Sequence, residues 1–295
     1  MKLFFSKLIC FVLLFLLVDF LISAGLKKAF YKVKSGSIYI SNYAFNKCKD
    51  DILFFGASEV THHFNSNAIA DSTGLSCYNL GMDGYGINYQ FPLLQTILKR
   101  HTPKIIIIST SQLSGKKIES SELYPYYSVS SNVKKVVDTF DVYDKYKLLI
   151  KSYAYNSMIA GIVEGMLSNE SSLHGYIPLQ GKSRVLTLNA APEGLLATPK
   201  SIFYFDNFLK SAKASGALVY VIASPRYQIN NKKEDSVLIS AICQKNAVKF
   251  LDYLSDTSFI NHPELFKDNP HLNYKGAAVL TNKVIAVISK DYKGR

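Results

Sequence analysis

Five apolar runs of strand length, set between stretches of helical length, constrain the fold of this chain more than any other feature. They are Asp51 to Gly56, Leu75 to Leu80, Lys104 to Ser109, Ala217 to Ala223 and Val248 to Leu251. Continuous apolar character, as in Ile105-Ile106-Ile107-Ile108, marks strands covered on both faces, the situation in parallel sheets. Helices are expected over 89–100, 200–215, 234–246 and 274–289. In the last of these, Ala277, Ala278, Leu280, Val284, Ile285 and Val287 gather on one face. Strands alternating with helices predict a three-layer α/β/α domain around a doubly wound parallel sheet, spanning 51–295. With 48% hydrophobic residues the chain can fill such a core.

Two stretches break that rhythm. Residues 114–199 form an expected insertion with a helical section over 142–167 and a glycine- and proline-bearing loop from Gly175 to Gly181. Lying between strands on the ligand side, it is a candidate substrate cap or a purely structural excursion. At the other end, Leu8 to Leu26 is nineteen residues long with Asp19 as its only charge, close to the ~20 residues that cross a bilayer as a helix. No small-x-small cleavage pattern follows and no cysteine lies close behind, so an uncleaved, unlipidated anchor over 1–28 is expected, then a basic and aromatic juxtamembrane segment over 29–50. Lys2 and Lys7 precede the span, whereas Lys27, Lys28, Lys32 and Lys34 follow it. The charge count favours a cytoplasmic body, but a short basic start before an amino-terminal apolar segment has the form of an export signal. The main domain is therefore expected outside the cytoplasm. Asp19 is costly in hydrocarbon and sits near the far end, within reach of headgroups or a partner helix.

The net charge of +12 is spread over dispersed lysines, with no basic and aromatic module of the kind that binds nucleic acid. Cys10, Cys48, Cys77 and Cys243 lack metal-ligand spacing, and Cys77 and Cys243 are expected to pack as small hydrophobes. His62 and His63 are adjacent, do not share one face of a helix, and are expected at a surface or rim; no metal is expected. His101, His174 and His262 are given structural roles. Tyr124, Tyr126, Tyr127 and Tyr176 are candidates for stacking on sugar rings or for loop packing. Gly81 to Gly86 lacks the Lys-Ser/Thr ending of a phosphate loop.

Ser58 stands just past the first strand, where open α/β sheets place their ligands. A neutral hydroxyl is a poor nucleophile without a base, and an imidazole base needs an acceptor that fixes its tautomer. His271, three residues after Asp268 and just before the last helix, supplies both partners, and Pro270 restricts the turn between them. Ser58, Asp268 and His271 are the candidate catalytic residues.

Gly56-Ala57-Ser58, Asn79-Leu80-Gly81-Met82-Asp83-Gly84 and Asp268-Asn269-Pro270-His271 together resemble the blocks of the SGNH, or GDSL-like, hydrolase superfamily, over roughly 51–289. Ala57 replaces the usual aspartate of the first block. Where that family has Gly-x-Asn-Asp, this chain has Thr110-Ser111-Gln112-Leu113. The resemblance implies a flavodoxin-like SGNH fold and an oxyanion held by the N–H groups of Ser58 and Gly84, with Gln112 in place of the asparagine. It further implies a membrane-anchored serine esterase, or an acyltransferase, acting on ester-linked acyl groups of cell-envelope glycans without a cofactor. The substrate would be an acylated carbohydrate or another small ester, and the partner a membrane acyl-transfer protein. The alternative is an inactive envelope descendant that binds glycan or a membrane acyltransferase.

Overall fold

The structure, a computed structural model, describes residues 1–113, 121–140, 142–168, 174–182, 197–227, 233–260 and 262–294. Much of the expected insertion, at 114–120, 169–173 and 183–196, lies outside the described residues. In chain order the helices are α1 (Lys2–Lys32), α2 (Gly36–Asn46), α3 (Ser58–His63), α4 (Ser66–Thr73), α5 (Ile87–Leu98), α6 (Ser131–Phe140), α7 (Asp144–Lys147), α8 (Ile159–Leu167), α9 (Pro199–Ala214), α10 (Lys233–Lys245), α11 (Thr257–Ile260) and α12 (Tyr274–Lys293). The strands are β1 (Ile52–Gly56), β2 (Cys77–Gly81), β3 (Ile105–Ser109), β4 (Leu218–Ala223) and β5 (Lys249–Asp252). The chain divides into two compact units, Met1–Tyr43 with Glu119–Ser171, and Ala44–Ile118 with Ser172–Arg295.

The second unit holds the whole sheet, five parallel strands in the order β2-β1-β3-β4-β5. All five expected strands form. Because side chains alternate across a strand, Ile52 and Phe54 of β1 face one layer with Ile105, Ile107, Leu280, Val284 and Ile288, so α12 packs there. Phe55 points the other way, against Phe208 of α9, with ring centroids 5.1 Å apart. The expected helices at 89–100, 200–215, 234–246 and 274–289 correspond to α5, α9, α10 and α12. Cys77 and Cys243 are buried and free, packed as the apolar positions they were expected to be.

The first unit holds α1, which is long and apolar enough to cross a membrane. Here the expected helical section over 142–167 is instead α7, a 3₁₀ segment Lys151–Met158 and α8. The break has a cause: the carboxylate of Asp19 accepts the N–H groups of Lys151 and Ser152 at 2.7 and 2.9 Å, donors that a continuous helix would have used internally. Tyr124 and Tyr126 of the adjoining 3₁₀ segment are buried in this unit, and Tyr176 is buried in the other, so packing accounts for these rings.

Candidate active site

At the end of β1, Gly56 has no Cβ because Val60 of α3 occupies that space. The chain can then leave the strand and enter α3 at once, which makes Ser58 the first helical residue. Ser58 Oγ lies 2.8 Å from His271 Nε2, and His271 Nδ1 lies 2.8 Å from Asp268 Oδ1. That same carboxylate oxygen accepts the main-chain N–H of His271 at 2.9 Å, so the turn closes on itself. Immediately beyond, Asn273 caps α12 by accepting from the N–H groups of Lys275 and Gly276 at 3.0 and 3.2 Å. The structure thus brings together all three residues proposed from the sequence, although 213 positions separate Ser58 from His271.

The histidines expected at a rim are buried. His63 accepts the N–H of Leu272 at 2.9 Å, so it holds the residue next to His271. Burial, reinforced by the nearby His271, His62 and Arg226 charges, pushes His63 well below the usual histidine range and keeps that nitrogen an acceptor. The His62 ring stands edge-on to His271 at 5.7 Å. His62 Nδ1 donates to Ile177 O at 2.7 Å, and Nε2 meets Asp83 Oδ2 at 3.2 Å. Burial disfavours the His62 cation, but the hydrogen bonds to Asp83 and Ile177 outweigh it and raise its pKa. Burial would raise the Asp83 carboxyl, but its hydrogen bond and charge interaction with His62, helped by Thr61, outweigh that and lower its pKa.

Glu59, next to the nucleophile, is buried and paired. It accepts from Ser109 Oγ at 2.9 Å and from Arg226 Nε at 3.1 Å, and a second Arg226 nitrogen reaches the same oxygen. The pair ties α3 to the ends of β3 and β4. Sequence reasoning passed over both residues; the one available signal was a carboxylate placed directly after a serine in an apolar strand-to-helix turn.

Gly84 sits in the turn after β2 with φ of 79°, a conformation that favours glycine. The β1–β2 register, Gly56 opposite Gly81, places Ser58 and Gly84 just beyond the carboxyl ends of adjacent strands. Among the described residues neither the Ser58 nor the Gly84 N–H donates a hydrogen bond. Gln112 departs from expectation: it is buried, and its amide donates to Tyr85 O at 3.2 Å. One of its two amide N–H groups is thus spent on the turn after β2. Chemically the site offers a hydroxyl with a proton acceptor at hydrogen-bond distance and two N–H donors on neighbouring strand ends.

No family model matches the chain. It is similar to the sulfite reductase (NADPH) flavoprotein alpha-component of Buchnera aphidicola subsp. Acyrthosiphon pisum (strain APS), with 25% identity over 197 residues, covering 63% of this chain and 32% of that protein. The chain therefore spans about a third of the relative's length. This similarity is to a flavoprotein component and overturns the expected membership of the SGNH superfamily. The expected esterase or acyltransferase activity on envelope glycans falls with it, as does the inactive SGNH descendant. In a sheet of this strand order a flavin mononucleotide would sit at the β1/β3 switch point. The residues there do not fit it. Of the donors that would cradle a phosphate, the N–H groups of Val60 and Thr61 and the Thr61 hydroxyl donate to Ala57 O and the Ser58 hydroxyl is paired with His271, which leaves the Ser58 N–H but no free hydroxyl in this turn. After β3, Thr110 to Leu113 present no aromatic ring, and Tyr227 after β4 packs on Phe266.

Proposed function

We propose that the chain is an enzyme in which Ser58 supplies an oxygen nucleophile, His271 is its general base and Asp268 orients the imidazole. The observation that carries this reading is the unbroken series Asp268–His271–Ser58, with both links at 2.8 Å. The relative's being a component of an enzyme agrees with it. With the Nδ1–H donating a hydrogen bond to Asp268, the Nε2 lone pair faces the serine hydroxyl. As Oγ bonds to an electrophilic centre, its proton passes to Nε2, and Asp268 stabilises the resulting imidazolium. Negative charge that develops on the substrate meets the N–H groups of Ser58 and Gly84. When the bond to the leaving group breaks, His271 returns the proton to it. The reaction class is covalent substitution through a serine adduct. The test is labelling by a fluorophosphonate: the parent protein is expected to take up one equivalent and a folded Ser58→Ala protein none. Equal labelling of the two would refute the assignment.

We also propose that α1 anchors the chain in a membrane with the main domain outside the cytoplasm. Its apolar side chains from Leu8 to Ile22 are exposed, as lipid-facing residues would be. A reporter fused after Arg295 that is active only in the cytoplasm would refute the orientation.

A further inference from the structure

Ser58 and His62 stand at i and i+4 on α3, one face of the helix, and both meet His271. Each ring nitrogen of His62 faces an acceptor. Nδ1 lies 2.7 Å from Ile177 O, whose own N–H donates to Thr61 O at 3.0 Å, and Nε2 lies 3.2 Å from Asp83 Oδ2. A carbonyl and a carboxylate have no proton to give, so a neutral ring can satisfy only one of them, whereas the imidazolium satisfies both. The Asp83 side chain is 60% exposed, so its bonds to His62 and Thr61, both on α3, are what hold it in one place. Asp83 belongs to the turn that carries the second N–H donor of the site. Tyr85 N–H donates to Met82 O at 3.1 Å, which closes a four-residue turn with Asp83 and Gly84 at its tip. The φ of 79° at Gly84 is that of the third residue of a type II turn. Type I and type II turns differ by a flip of the peptide between their second and third residues, here the peptide that bears the Gly84 N–H. Holding Asp83 therefore holds the direction of that N–H.

We propose that His62 is a positioning residue of the serine chemistry described above: as an imidazolium it clamps Asp83, ties the helix that carries Ser58 to the turn that carries Gly84, and keeps both N–H groups aimed at one developing oxyanion. The inference rests on that chemistry and deepens it. The charged and titratable groups that face His62 are Asp83 from the turn after β2, Asp268 and His271 from the segment before α12, and His63 beside it on α3. The charges of His62 and Asp83 cancel, so the clamp does not oppose the cation that His271 becomes. Burial disfavours the His62 cation, but the bonds to Asp83 and Ile177 raise its pKa. The clamp is therefore complete below the folded-state pKa of His62 and is released as pH rises through it.

The rate of fluorophosphonate labelling of the full-length protein would be followed against pH, beside the His62 midpoint by NMR, in the parent, Asp83→Asn and His62→Gln proteins. His271 accepts a proton only when neutral, and the clamp exists only while His62 is charged. The parent is therefore expected to give a bell-shaped profile whose alkaline limb coincides with the His62 midpoint. Loss of one oxyanion donor costs ~10²–10³ in turnover, so the rate should fall at least about tenfold across that limb. Asp83→Asn should move the limb and the midpoint to lower pH together, and His62→Gln should label slowly with no alkaline limb. Because Asp83 is exposed, its variant decides the matter even where His62→Gln fails to fold. A parent rate that does not fall at the His62 midpoint, a midpoint unmoved in Asp83→Asn, or a limb that stays while the midpoint moves would overturn the clamp and leave the serine reading standing. No labelling of the parent at any pH would refute the serine reading and the clamp with it.

Discussion

One oxygen of Asp268 receives both the ring N–H and the main-chain N–H of His271, so the carboxylate is positioned by the residue whose tautomer it fixes. Asp268→Asn keeps the volume but offers an amide that can turn a donor towards Nδ1 and favour the wrong tautomer. In a serine protease that change costs ~10⁴ in turnover. Here Asp268→Asn is expected to slow fluorophosphonate labelling by at least ~10² with an unchanged circular dichroism spectrum; a parent-like rate would remove Asp268 from the series. The neighbouring pair gives a pH prediction. The pKa of His62 is raised above 6.5, so the stability it contributes is complete below that value and is lost as pH rises through the folded-state pKa. Asp83 is lowered from 3.8, so its contribution is present above that value and fades as pH falls through its folded-state pKa. The pair therefore stabilises most between the two limits. Asp83→Asn should lower the His62 midpoint followed by NMR, and an unmoved midpoint would show that Asp83 does not hold the His62 charge.

At six residues α3 is too short to stand alone, and a strand residue holds it. Asn79 of β2 donates to Val60 O and Phe64 O at 2.6 and 3.0 Å and accepts Gly81 N–H at 2.9 Å. Asn79→Leu would leave three buried main-chain groups without partners, each costing about 1–3 kcal/mol. The expected result is a loss of about 3 kcal/mol or more in urea unfolding, together with weaker labelling of Ser58, because α3 carries the nucleophile. A loss below about 1 kcal/mol would show that packing alone holds α3. The strands were legible beforehand because continuous apolar runs admit few other readings, and the Asp268–His271 pair was legible because it is local. Asn79, Glu59, His62 and His63 were not recognisable as buried, since polar residues are buried only where distant partners satisfy them. Arg226, which pairs Glu59, is 167 positions away. Nor could the sequence reveal that Asp19 would break the 142–167 helix from 132 positions away.

For the molecule as a whole, two forces could bring it to a membrane, and they respond differently to salt. The net charge of +12 draws it to anionic lipid, at about 1 kcal/mol per lysine near the surface, within a screening length of ~10 Å at 0.1 M salt. Against this, each large apolar side chain of α1 gains about 1.5–3 kcal/mol on leaving water. Those from Leu8 to Ile22 are exposed, so their sum exceeds the electrostatic gain and does not depend on ionic strength. Washing membranes with 1 M sodium chloride and then with alkaline carbonate should therefore leave the full chain in the pellet, and detergent should release it. Leu14→Lys combined with Leu17→Lys places two charges near the middle of the span, at about 2.5–3.5 kcal/mol each on an insertion scale. That variant should become extractable by carbonate, whereas reversing surface lysines should not have this effect. Release of the parent chain by salt alone would show that charge, not α1, holds the protein at the membrane.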